Sequence, residues 1–161
     1  MNLLASAPTW LAWALAALLV AAAIEDSVRQ RISNILSLGV FAGALVAIGL
    51  GGLEAALWQN ALVFALLLAG GTLLFGAGKM GGGDVKLLAA AGLWCNLEAA
   101  LALVPIVFIA GGLLALVILG ARMLAPDGAA RRVAVLRPGS GIPYGIAIAA
   151  GTLIAMALAR A

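Results

Sequence analysis

The chain of 161 residues contains no histidine and a single cysteine, Cys95. Without an imidazole there is no Ser-His-Asp or Cys-His nucleophile and no ordinary histidine metal site. A lone thiol forms no intrachain disulfide and no paired-cysteine metal knuckle, so Cys95 reads as a small apolar helix residue. Charge is equally scarce. Only 9% of residues are charged, against about a quarter in a soluble domain, while 66% are hydrophobic and the mean hydropathy is +1.23. A water-soluble globule cannot solvate such a surface, and the chain reads as a multi-pass membrane protein in contact with lipid. Nine Lys and Arg give a formal charge of +3. In so apolar a chain they are expected to set orientation, and nucleic acid is not an expected partner.

What is abundant is long apolar runs. A hydrocarbon core of about 30 Å needs about 20 residues of helix. Candidate spans are Pro8 to Ile24, Ile35 to Gly52, Leu57 to Phe75, a short one from Val85 to about Cys95, Ala99 to Leu119, and Ile142 to Ala159. The expected fold is all-α and polytopic, a single membrane domain over 1–161 with about six transmembrane helices and a glycine-rich joint before the fourth. No Lys or Arg precedes the first run, so it reads as a retained span rather than a cleaved signal. With six crossings, Arg29, Arg31, Lys79, Lys86, Arg122, Arg131, Arg132 and Arg137 share one side and Arg160 lies opposite. The positive-inside rule makes that side cytoplasmic, with both termini outside. The fourth span has only eleven residues, a rise of about 16 Å. Either it extends through Asn96 and Leu97, or the glycine run before it lies at membrane depth, where irregular backbone must line a wet cavity or be buried in protein. Gly70, Gly71, Gly111 and Gly112 read as positions of close helix packing.

Chemistry is confined to six carboxylates. Glu54, Glu98 and Asp127 fall in expected loops as solvated surface groups. Asp26 and Asp84 each lie where a cytoplasmic loop meets a span, and two acids at one membrane face invite a functional reading. Before Asp84 stand Gly81, Gly82 and Gly83, which let the backbone turn sharply and let another chain approach closely. Asp84 itself is expected to cap the following helix. The Gly76-x-Gly78-x-x-Gly81 spacing matches a dinucleotide loop but follows a helix rather than a strand. A P-loop fails because Met80 stands where Ser or Thr must bind magnesium.

Two carboxylates sharing one proton hydrolyse a peptide without metal or cofactor: one activates water and the other donates a hydrogen bond to the scissile carbonyl. The same pair also suits a proton relay in a small proton-coupled transporter or channel, or the chain is a purely structural membrane subunit.

The residues carry a resemblance to the type IV prepilin peptidases, within the GxGD intramembrane aspartyl proteases. Ile24-Glu25-Asp26 followed by Arg31-Ile32-Ser33-Asn34 resembles the first catalytic element, with Ser33 where the family usually has proline. Gly81-Gly82-Gly83-Asp84-Val85-Lys86-Leu87-Leu88-Ala89-Ala90 resembles the second, GxGDxKLLAA, and Ile142-Pro143-Tyr144-Gly145 the final-helix motif. Ser33 and Asn34 still suit a helix start as N-cap residues. The resemblance implies an aspartic-type endopeptidase of the bacterial inner membrane, with Asp26 and Asp84 catalytic and Gly81 to Gly83 forming the active-site backbone. It implies prepilin or pseudopilin substrates, cleaved at the cytoplasmic face after a glycine that precedes an apolar helix. Lys86, Lys79 and Arg31 are the candidates for binding substrate or tuning the aspartates. No cysteine-bearing N-terminal region precedes the first span, so the chain resembles the short members associated with tight-adherence (Flp-type) pili. Methyl transfer to the new N-terminus is not expected of it.

Overall fold

The computed structural model describes residues 1–52, 56–124, 135 and 141–161. Glu54, Asp127, Arg131, Arg132 and Arg137 lie outside the described residues. Backbone groups in hydrocarbon must be satisfied within the chain, which leaves helices as the open-chain solution. The described residues accordingly form seven helices: α1 (Leu3–Ser6), α2 (Thr9–Arg29), α3 (Asn34–Gly51), α4 (Leu57–Gly76), α5 (Gly82–Gly92), α6 (Leu97–Leu124) and α7 (Tyr144–Arg160). Helices α2, α3, α4 and α6 are long and apolar enough to cross a membrane; α7, at 17 residues, is a shorter apolar helix. The protein is an all-α polytopic membrane protein.

Neighbouring contacts fix the directions. Asp26 meets Gly145 while Arg160 reaches back to Leu4, so α2 and α7 are antiparallel. Gly71 packs on Val85 and Gly92 on Val63, so α4 and α5 are antiparallel. Lys86 meets Asn34 and Trp94 meets Val40, so α3 and α5 run parallel. The C-terminal ends of α2 and α4 and the N-terminal ends of α3, α5 and α7 therefore gather at one end of the bundle, called here the aspartate end.

α5 is the axis. From Asp84 to Gly92 all its residues but Lys86 are buried, against α3, α4 and α7. The long helices instead turn Ile35, Leu73, Leu101, Leu116 and Leu124 outward, as lipid-facing walls do. Small residues permit the fit: a Cβ on Gly71 would lie 2.7 Å from Val85, and one on Gly111 3.0 Å from Tyr144. Gly70 and Gly112, expected to serve the same purpose, face open space instead.

The short fourth span does not lengthen toward Asn96 and Leu97. It ends in a turn at Leu93 and Trp94, and Leu97 opens α6. The space beyond it is filled by α1, whose Leu3 and Leu4 amides both donate to the Trp94 carbonyl. Around this plug, Asn60 Nδ2 donates to the Met1 and Leu93 carbonyls, each at 3.0 Å. Trp94 Nε1 donates to Val40, and the Arg160 guanidinium to Leu4 and Ala7. Glu98, expected in a loop, is exposed in the first turn of α6.

Candidate active site

Hydropathy falls away at Glu25, but the α2 hydrogen-bond ladder does not, and the helix continues to Arg29. Asp26 is thus a helical residue, only 4% exposed, rather than a loop-boundary one. The helix stops where Gln30 takes a left-handed conformation, φ 52°, with its N–H still bound to the Asp26 carbonyl. That reversal throws Ile32 inward, where it is buried beneath the aspartate end.

The joint to α3 is held by Glu25, whose carboxylate accepts the Ser33 N–H at 2.9 Å and meets Arg29 at 3.4 Å. Ser33 occupies the N-cap position as its residue type suggests, yet its hydroxyl makes no cap bond. The group used is its backbone N–H, which a proline at this position lacks.

Asp84 is not the cap of α5. Gly81 holds that position, and Asp84, in the first turn, folds back so that its carboxylate lies beside the Gly81 backbone amide. This is the acid's half of a capping box, with no side chain on the cap residue to complete it. The other Asp84 oxygen, Oδ1, is buried and has no hydrogen-bond partner.

The three glycines serve close approach rather than a left-handed turn; the positive φ in this joint belongs to Gly78, at 70°. A Cβ on Gly83 would stand 3.0 Å from Ile32 Cβ and 3.1 Å from its carbonyl oxygen. One on Gly81 would stand 2.7 Å from Asp84 Oδ2. Gly145 repeats the pattern on α7: its Cβ would stand 2.9 Å from both Cβ and Oδ2 of Asp26 and 3.0 Å from Ile32 Cδ1. Its N–H, one of the free donors of the α7 first turn, donates to Asp26 Oδ2 at 2.8 Å. Ile32 is therefore wedged between the start of α5, which carries Asp84, and the start of α7, which bonds Asp26.

Both carboxylates line one cavity of about 340 Å³, with Gln30, Arg31, Asn34, Gly81 to Gly83 and Lys86. Asp84 lies within reach of the Asp26 charge. A family model, the type IV leader peptidase family, matches residues 13–119, which is most of the chain and includes both aspartates. The chain belongs to the type IV leader peptidase family. No curated protein and no solved structure matches it.

Within this leader peptidase, α7 lies beyond the matched segment yet supplies the Gly145 contact to Asp26. Of the three cations singled out in the sequence, Arg31 and Lys86 line the cavity, and Lys86 Nζ donates to Asn34 Oδ1 at 2.9 Å. Lys79 is exposed and is not among the lining residues. Sequence reasoning missed Glu25 as the brace of the α2–α3 joint, Ile32 as the wedge and Gly145 as a donor. For Gly145 the only signal was its place in the final-helix motif.

Proposed function

We propose that this leader peptidase removes the leader of type IV pilin-like precursors of the Flp type, at the cytoplasmic face of the inner membrane, with Asp26 and Asp84 as an aspartic-type pair. The observation that supports this most is the meeting of the two acids, 58 positions apart in sequence, in one cavity at the bundle end that gathers Arg29, Arg31, Lys79, Lys86 and Arg122. Membership in the family weighs for hydrolysis over a proton relay.

In this reading the pair holds one proton between two carboxyl groups. The ionised group takes a proton from water as the water oxygen attacks the scissile carbonyl, and the protonated group passes its proton to the carbonyl oxygen. The resulting gem-diol collapses as the first group gives its proton to the leaving nitrogen and the second takes one from a gem-diol hydroxyl, returning the pair to its starting state. The Gly145 N–H fixes the Asp26 carboxylate, and the partnerless Asp84 Oδ1 is available to water or substrate.

Asp26→Asn and Asp84→Asn keep side-chain shape and remove proton exchange. Each is expected to lower precursor cleavage in liposomes by three or more orders of magnitude, and the double variant to be little worse than either, because paired groups act as a unit. A pH dye in the same liposomes reports proton flux. Full processing by either variant removes that residue from the pair, and flux without cleavage in the unmodified chain replaces the peptidase reading with the relay.

A further inference from the structure

A second cavity, of about 370 Å³, lies against α5 between α3 and α4. Leu38, Phe41, Phe64 and Leu68 form its walls and Ala89 and Ala90 its floor. Asn34, Ser37, Leu38 and Phe41 fall at i, i+3, i+4 and i+7 on α3, so the trough follows that helix for about 10 Å. At one end it is bounded by Asn34 and Lys86, the two residues that it shares with the aspartate cavity. At the other, the Phe41 and Phe64 rings stand 5.4 Å apart. Its rims are open: Leu38 is 64% and Leu68 36% exposed, on the side that faces lipid.

A second observation points to an occupant. Ser6, Ser27, Thr72 and Thr152 each donate their hydroxyl to the carbonyl four residues before, the usual arrangement within a helix. Ser37, 5% exposed and lining the trough, has no partner for its hydroxyl. A buried hydroxyl left unpaired is costly, and an occupant of the trough that accepts its hydrogen bond relieves that cost. Lys86 uses one of its three N–H donors on Asn34.

We propose that this trough seats the apolar helix of the precursor, with the Ser37 hydroxyl donating to that helix, so that the chain just ahead of it passes Asn34 and Lys86 into the aspartate cavity. The inference rests on the leader-cleavage reading above and adds where the membrane-bound part of the substrate docks. The small floor residues suit it, because helices in lipid associate by close packing over small side chains. The continuity of trough and cavity supplies the geometry: an occupant lying along α3 presents its end, not its middle, to the carboxylates.

The test places a photo-crosslinking residue at Leu38 or Leu68 in the full-length Asp84→Asn chain, and in parallel at Ile109 or Leu116 on the exposed face of α6, in membranes holding the intact precursor. Crosslinks to the precursor are expected at least tenfold stronger from the trough positions. In the otherwise unmodified enzyme Leu38→Trp, at an exposed rim, is expected to raise the KM for the precursor about tenfold with kcat little changed, a loss of about 1.4 kcal/mol of binding. If the unmodified chain cleaves the precursor but crosslinks form equally from α6, or the trough positions capture lipid alone, or Leu38→Trp leaves KM unmoved, the docking site is wrong while leader cleavage stands. Absence of any cleavage by the unmodified chain removes the leader-cleavage reading itself and the trough with it.

Discussion

At its C-terminal end α5 delivers the Trp94 carbonyl to two amides of α1 and the Leu93 carbonyl to Asn60, while Trp94 Nε1 finds Val40. At its N-terminal end, about 15 Å away along a helix of eleven residues, Asp84 Oδ1 is buried with no partner and a neighbouring cavity opens beside it. The first end is tied by hydrogen bonds to segments as distant in sequence as Leu3; the second is shaped by glycines that bring backbones together, with Lys86 bonded to Asn34 and the Gly145 N–H to Asp26. The difference teaches how so short a helix serves as an axis. Its anchored end fixes height and rotation, and the end bearing Asp84 inherits that placement while one carboxylate oxygen of Asp84 stays unbonded.

The sharpest way to break this comparison is to add a methyl group at the aspartate end. Gly145→Ala puts a Cβ 2.9 Å from Asp26 and 3.0 Å from Ile32, and Gly83→Ala puts one against the Ile32 backbone, which has no side-chain torsion with which to retreat. A misplacement on the order of 1 Å at a reacting group costs about 100-fold in rate. Initial rates of precursor cleavage, normalised to folded protein, are expected to fall about 100-fold for Gly145→Ala and at least tenfold for Gly83→Ala. Gly70→Ala and Gly112→Ala, which face open space, are expected to stay within about twofold. Equal effects at all four positions would mean that generic helix packing, not the fit around Ile32, governs the site.

The sequence reading reached the aspartate end more readily than the anchored one, for physical reasons. Asp26 and Asp84 stand out because ionisable groups are rare beside long apolar runs, and the spans stand out because hydrocarbon demands them. The α1 plug has neither signal: four residues carry no periodicity, and the bonds of Leu3 and Leu4 to Trp94 are backbone pairings across about ninety positions. The course of α2 past Ile24 was hidden for a related reason. Hydropathy ends where charges begin, whereas a helix ends where its hydrogen-bond ladder does, here at Gln30. Asp84 was misread as a cap because residue preference is strongest at the N-cap, although an acid in the first turn serves the same donors by folding back. Gly145 was recognisable in its motif, but its N–H donation to Asp26 spans 119 positions and depends on how α7 packs.

A smaller effect sharpens the comparison from the anchored end. Asn60 is fully buried and uses one amide group on the Met1 and Leu93 carbonyls. Asn60→Leu keeps the branching of the side chain, replaces its amide by bulkier methyl groups and strands both carbonyls, so the protein is expected to lose about 2 kcal/mol of stability or more. Activity per folded molecule should change far less than for Gly145→Ala. Thermal unfolding in detergent, read beside cleavage at a temperature where the variant remains folded, separates the two. Cleavage that falls without loss of stability would show that Asn60 acts on the site directly and that the two ends are not divided as described.

The smallest effect is expected at Cys95, which lies at the anchored end and holds the chain's one thiol. It is fully buried, with its Sγ 3.9 Å from the Ala91 carbonyl. Serine is close in size, and its hydroxyl can donate to that same carbonyl. Cys95→Ser is therefore expected to cost about 1 kcal/mol or less in stability. Its cleavage rate should match the unmodified chain, because neither a thiolate nor a base to activate one takes part in the two-carboxylate reaction. The same reasoning extends to metals: among the described residues no three of Asp, Glu, Cys and His are grouped to hold an ion, and strong chelators are expected to leave the rate unchanged. Cleavage is measured in liposomes for both chains, with and without chelator. Loss of activity in Cys95→Ser without unfolding would bring the anchored end into the chemistry. Loss on chelation, restored by one particular metal, would replace the aspartate pair with a metal-bound water as the attacking group.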